Sequence, residues 1–238
     1  MLHWLDHHTH SFPPLSQACQ EPNGLLCAGG DLSPERIIAA YQQGIFPWFS
    51  EEQPILWWSP DPRMVLLPSE FKISRSLRRT LRAGAYQIRL DSHFDQTIQA
   101  CANTPRAEQN GSWITHAMQR AYQQLFKLGI AHSVETWAQD KLVGGLYGLA
   151  IGRMFYGESM FSLQTDASKI ALAHLTRFLQ QQGFGLIDCQ MHTPHLASLG
   201  ARTMPRQQFI EQVKQLTQAT QQNNAPWSEH AASGAWIS

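Results

Sequence analysis

The strongest constraint on the fold lies between residues 132 and 190, where the hydrophobic period changes from two to about 3.6 and back again. His132–Trp137 alternates, Gln139-Asp140-Lys141 supplies a turn, and residues 142–151 and 154–161 read as the next two strands of an antiparallel meander. Residues 168–182 then carry Ile170, Leu172, Leu175, Phe178 and Leu179 at helical spacing, and Gly183 ends the run. Leu186-Ile187-Asp188-Cys189-Gln190 is short and mostly apolar, a further strand. A last amphipathic helix starts near Pro205 with Phe209, Ile210, Val213 and Leu216. Strand, strand, strand, helix, strand, helix predicts a mixed α+β domain.

What precedes this block is differently built. The first sixty or so residues are rich in Pro, Gly and Trp, and carry one clear helix signal: Ser33 as N-cap, Pro34 in the first turn, Gly44 as stop. Short apolar segments broken by prolines follow, so a small N-terminal domain is expected over 1–62 and the α+β domain over 63–218. A further helix is expected from Thr115 to Leu128, with Gly129 as its stop. Beyond about Gln218 periodicity ceases and Gln, Asn and Ala accumulate, which predicts a mobile tail over 219–238. The element order of 63–218 resembles acetyltransferase-type (GNAT-like) acyl-transfer domains. These often bind their acyl donor where two neighbouring strands part, here near 155–161 and 186–190.

Composition narrows the function. With 43% apolar residues in 238 the chain can bury a substantial core. It holds no run of eighteen uncharged apolar residues, and its start lacks a secretory pattern, so a cytoplasmic protein without a membrane partner is expected. Cys19, Cys27, Cys101 and Cys189 form no Cys-x-x-Cys pair, which points to reduced thiols. His3, His7, His8 and His10 match no ligand spacing, so no metal is expected. Zero net charge argues against coating nucleic acid through overall basicity, and DNA is not expected as a partner.

Charge is nevertheless concentrated locally. Seven of the eighteen basic residues lie between Arg63 and Arg89, against the single acid Glu70. Within that stretch Arg75, Arg78, Arg79 and Arg82 stand at i, i+3, i+4 and i+7, one stripe of a helix whose other face carries Leu77 and Leu81. Four like charges on one stripe repel unless phosphates neutralise them; a merely solvated basic face is the alternative. Elsewhere, strand alternation would put Asp188 and Gln190 on one side with Cys189 pointing away, a geometry suited to a polar relay. Equally, Asp188 could cap a loop while Gln190 satisfies buried backbone. Glu158 places a charge inside an apolar strand, and such a carboxylate needs a partner.

Several strings in one order resemble the leucyl/phenylalanyl-tRNA–protein transferases: Asn23-Gly24-Leu25-Leu26, Gly29-Gly30-Asp31-Leu32-Ser33, Gly44-Ile45-Phe46-Pro47-Trp48-Phe49, Trp57-Trp58-Ser59-Pro60-Asp61-Pro62-Arg63, Gly157-Glu158-Ser159-Met160-Phe161 and Leu186-Ile187-Asp188-Cys189-Gln190. The resemblance implies transfer of Leu, Phe and, less readily, Met from aminoacyl-tRNA to proteins that begin with Arg or Lys, marking them for N-degron proteolysis. It implies that Gln190 lies near the attacking amine or the ester carbonyl with Asp188 orienting it, and that Glu158 receives the cationic acceptor. It selects Trp48 and Trp113 to stack on the 3′-terminal adenosine, although most tryptophans are core. An apolar pocket would be lined by Leu146, Phe155, Met160 and Leu172, each of which could also be ordinary core. The family usually has Met at the position of Leu146. Because the ester is already activated, no ATP, metal or other cofactor is expected.

Two other readings stay open. One is a GNAT-like acyltransferase using acyl-CoA, which Ser162–Lys169 weakens because it has no glycine for cradling pyrophosphate and does contain an acid. The other is a non-catalytic module that binds RNA or an N-degron, which the basic helix alone would permit.

Overall fold

The computed structural model describes residues 2–104, 114–219 and 227–229. The chain opens with β1 (His3–Leu5) and β2 (Leu25–Gly29), followed by α1 (Pro34–Tyr41), β3 (Phe46–Pro47) and β4 (Leu56–Trp58), whose four strands form a small sheet in the order β1-β2-β4-β3. Ser33 caps α1 as expected, its hydroxyl accepting from the Arg36 amide. After Trp58 the chain leaves this sheet, and β5 (Arg63–Leu66) begins a second one.

That second sheet has seven strands. They are β5, β6 (Gln87–Leu90), β7 (Ala131–Ala138), β8 (Lys141–Ile151), β9 (Met154–Ser162), β10 (Leu186–Asp188) and β11 (Arg202–Met204), in the order β11-β5-β10-β9-β8-β7-β6. The expected meander is β7-β8-β9, antiparallel throughout, and the step to β10 is parallel because α5 (Ala167–Gln181) carries the chain back across the sheet. This is the mixed sheet that the element order predicts. The helices α2 (Arg75–Ala83), α3 (Phe94–Ala102), α4 (His116–Lys127), α6 (Pro194–Ser198) and α7 (Arg206–Gln218) complete the elements of the described residues, together with 3-10 turns at Leu15–Gln17, Pro68–Glu70 and Trp227–Glu229.

Alternation along β8 and β9 separates two cores. Tyr147, Leu149, Met154 and Tyr156 face one that also takes in α4, α7, α1 through Tyr41 and the small sheet through Phe46 and Trp57. Leu146, Ala150 and Phe155 face the other, with α5 and the inner side of α2. The N-terminal sheet therefore shares one continuous core with the large sheet.

Within the segment expected to be mobile, Trp227 is buried, at 6% exposure. For this residue the expectation of a mobile tail is corrected: composition indicates how little apolar area a segment has, and one indole can still dock if an aromatic slot awaits it.

Candidate active site

Strands β9 and β10 are paired only as far as Tyr156 and Asp188. Beyond that point β9 continues to Ser162 while β10 stops, and the strands part. A cavity of about 770 Å³ fills the opening, a size in the range of small-molecule sites.

One wall is apolar. Leu146, Phe155, Met160 and Leu172, the four residues expected to line a pocket, all line this cavity, together with Leu175 and Ile187. The other wall is polar and is set by a bulge. Tyr147 pairs with Ser159 and Gly148 with Gly157, which leaves Glu158 as the extra residue of β9. The bulge turns the half-buried Glu158 carboxylate toward the core that holds α1 and α4. There Tyr41 donates a hydrogen bond to Glu158 Oε1 at 2.7 Å and Tyr122 to Oε2 at 2.9 Å, while the two phenol oxygens lie 2.6 Å apart. Gln190 Nε2 donates to Oε1 at 3.4 Å.

These partners are all neutral. Burial pushes the Glu158 carboxyl up to about 7, the two tyrosine hydroxyls hold it down in part, and Asp188 raises it against the opposing effect of Arg63. Burial also raises both phenols well above their ordinary value, with the neighbouring carboxylate adding to it. The tyrosines stay protonated and act as donors.

The expected Asp188–Gln190 relay is corrected in part. β10 ends at Asp188, and Gln190 has left strand geometry, with φ at +54°, so the alternation that would place them side by side does not apply. Asp188 is fully buried and absent from the cavity wall. Arg63 grips it with two hydrogen bonds, Nε to Oδ1 at 2.8 Å and Nη2 to Oδ2 at 2.7 Å, while Nη1 donates to the Gly44 carbonyl at 3.1 Å. The guanidinium lies between the rings of Phe46 and Phe209, 4.6 and 4.7 Å from their centroids. One arginine thus joins the small sheet, β5, β10 and α7. Asp188 reaches Gln190 through the backbone, since its Oδ1 accepts from the Gln190 amide at 2.9 Å. Cys189, expected to point away, lines the cavity, and burial raises its thiol pKa.

Trp48 lines the cavity and is half-buried; its carbonyl accepts from Trp58 Nε1 at 2.7 Å, and its ring meets that of Trp58 edge-on. Trp113 lies outside the described residues. Arg75, Arg78, Arg79 and Arg82 form an exposed stripe on α2 while Leu77 and Leu81 are buried. They stand apart from the cavity wall. His195 does line it, and burial beside Lys169 lowers its pKa.

Tyr41, Tyr122 and Arg63 are the functional residues that sequence reasoning missed. Tyr41 lies on α1 and Tyr122 on α4, and the carboxylate they meet is 117 and 36 residues away. The one available signal was the charge at Glu158, which called for partners without naming them.

A family model described as leucyl/phenylalanyl-tRNA protein transferase matches residues 65–214, and a second, for the N-terminal domain of these proteins, matches 30–61. A leucyl/phenylalanyl-tRNA–protein transferase of Nitrosomonas europaea is 63% identical over 212 residues, covering 89% of each chain. This chain belongs to the leucyl/phenylalanyl-tRNA–protein transferases. It is an enzyme whose relatives include proteins so named in Nitrosomonas eutropha, 64% identical over 89% of this chain and 90% of that one, and Pseudomonas syringae pv. syringae, 56% identical over 96% and 98%. Among the described residues no helix of the enzyme is long and apolar enough to cross a membrane. At the N-terminus of its α5, where an acyl-CoA pyrophosphate would need free amides, the Ala167 amide donates to the Gln164 carbonyl and the Ser168 amide to Ser162 Oγ, and the Asp166 carboxylate stands beside them, accepting from Lys169 at 2.9 Å and from Thr80 of α2 at 3.2 Å.

Proposed function

We propose that the enzyme transfers Leu or Phe, and less readily Met, from aminoacyl-tRNA to the N-terminal Arg or Lys of acceptor proteins in the cytoplasm, marking them for N-degron proteolysis. The observation that carries this reading is the cavity itself: an apolar wall faces, across one opening, a carboxylate whose hydrogen-bond donors among the described residues are neutral.

The reaction forms a C–N bond and breaks the C–O bond to the terminal ribose. The acceptor arrives as an ammonium ion and must lose a proton before its nitrogen can attack. Glu158 is suited to both demands. As a carboxylate it attracts the cationic terminus, and with a pKa near 7 it can take a proton at physiological pH. Gln190, hydrogen-bonded to it, orients the amine or the ester carbonyl. Asp188 is a positioning residue that fixes Gln190 through its amide. Holding amine and ester together can contribute roughly 7–11 kcal/mol, and the activated ester needs no ATP, metal or cofactor.

Trp48, with its ring at the cavity wall, suits stacking of the unpaired 3′-terminal adenosine, and Trp113 is proposed as its companion. The α2 arginines supply a phosphate-binding stripe for the tRNA backbone.

The test is transfer of labelled Phe from Phe-tRNA to an Arg-initiated peptide, without CoA or ATP. Label in the peptide is the expected result. Binding of tRNA without transfer would reduce the protein to a binding module, and dependence on acyl-CoA would make it an acyltransferase of another class.

A further inference from the structure

Trp227 lies beyond α7, yet its indole is packed into the same layer as the apolar wall of the cavity, between the sheet and α5. It lies nearly parallel to the His132 imidazole, with centroids 3.8 Å apart and planes at 11°. That imidazole is fixed from the edge by a 2.7 Å hydrogen bond between Nδ1 and the Asp91 carboxylate. On its other sides the indole meets Phe155 at 5.9 Å and 25°, and Phe178 and Phe184 edge-on at 4.7 and 6.3 Å.

Phe155 connects this cluster to the cavity, since it lines the one and contacts the other. Its ring lies over Gly148, where a Cβ would stand 2.6 Å from Phe155 Cζ. Gly148 is paired across the sheet with His132, the platform of Trp227. The ring is therefore confined by backbone beneath and by the indole beside it, and its place in the cavity wall depends on both.

We propose that Trp227 is a specificity-determining residue: by backing Phe155, its indole closes the inner end of the apolar pocket and limits the length of side chain the enzyme accepts. The proposal rests on the reading that this pocket holds the aminoacyl side chain. A rigid ring stacked on a fixed imidazole cannot yield to a longer substrate by changing rotamer cheaply. Without the indole, Phe155 gains room to swing away, and the pocket extends into the vacated space. A few atoms at the end of an apolar pocket change selectivity by tens of fold, so the effect is measurable.

The experiment charges one tRNA with Leu, Phe or 2-naphthylalanine and measures kcat/KM for transfer to an Arg-initiated peptide, alongside the thermal midpoint. The wild type is compared with Trp227→Phe, Trp227→Leu and Trp227→Ala. The naphthylalanyl-to-leucyl ratio is expected to rise by about 10-fold or more in Trp227→Ala, to rise less in Trp227→Leu, and to stay near wild type in Trp227→Phe. If the alanine variant does not fold, the leucine variant carries the test. Proportional losses for all three acyl groups, tracking the thermal midpoint, would overturn the proposal and leave Trp227 a packing residue. Failure of the wild type to transfer Leu or Phe at all is a separate outcome, which removes the reading of function and this proposal with it.

Discussion

Two carboxylates flank the point where β9 and β10 part, and their partners differ in kind. Asp188 on β10 meets a full positive charge in a bidentate grip with no exposure to the cavity. Glu158 on β9 meets two phenols and an amide, all neutral, and lines the cavity. Asp188 is withdrawn from water entirely and Glu158 in part, and what replaces the water differs at the two. A guanidinium compensates the charge and makes the acid a fastener. Neutral donors compensate it incompletely, so the acid can gain or lose a proton near pH 7.

Breaking the fastener should have the largest effect. Arg63→Ala leaves Asp188 charged and unpaired in the core and removes the link between the small sheet, β10 and α7, so a loss of about 3–5 kcal/mol is expected in urea unfolding. Activity should fall with it, because Gln190 is held through Asp188. A loss below 1 kcal/mol would show that the pair does not lock the strand split.

Glu158→Gln should do the opposite, reducing transfer by about 10²–10⁴-fold with the fold intact. The wild-type rate should rise with pH through about 7, as the carboxyl ionises, and the variant should lack that limb. Stability adds a second check. The folded pKa lies above the ordinary value of 4.5, so the protonated acid's contribution is fully present below 4.5 and is lost as pH rises through 7. Across that window the wild type should lose stability relative to Glu158→Gln, and parallel curves would contradict the assignment.

Tyr41→Phe sharpens the same contrast with a smaller change. Its hydroxyl holds the Glu158 pKa down, so removing it should move the limb of the rate profile upward by about one pH unit, with little loss of maximal rate. An unmoved limb would mean that Tyr122 alone sets the acid.

Much of this architecture is legible in the chain. The meander, α5 and α7 follow from local periodicity, and so does the stripe on α2, because each is a pattern within one element. The four apolar residues expected to line a pocket lie together in the cavity. Strands β1 to β6 and β11 and helices α3 and α6 carry no such pattern, being short and set by partners elsewhere in the chain.

The site shows where such reading ends. Alternation predicted that Asp188 and Gln190 share a face, but a strand of three residues followed by a left-handed Gln190 has no such period. Sequence could assign a carboxylate to position 158, yet burial at a bulge and two hydroxyls from different helices decided its proton affinity. The Trp227 indole likewise found its slot through His132, Phe155 and Phe178, none adjacent to it in the chain. Periodicity is a property of neighbours along the backbone and is fixed by the residues themselves. Desolvation and charge compensation depend on which distant groups arrive at an atom, and only folding brings them there.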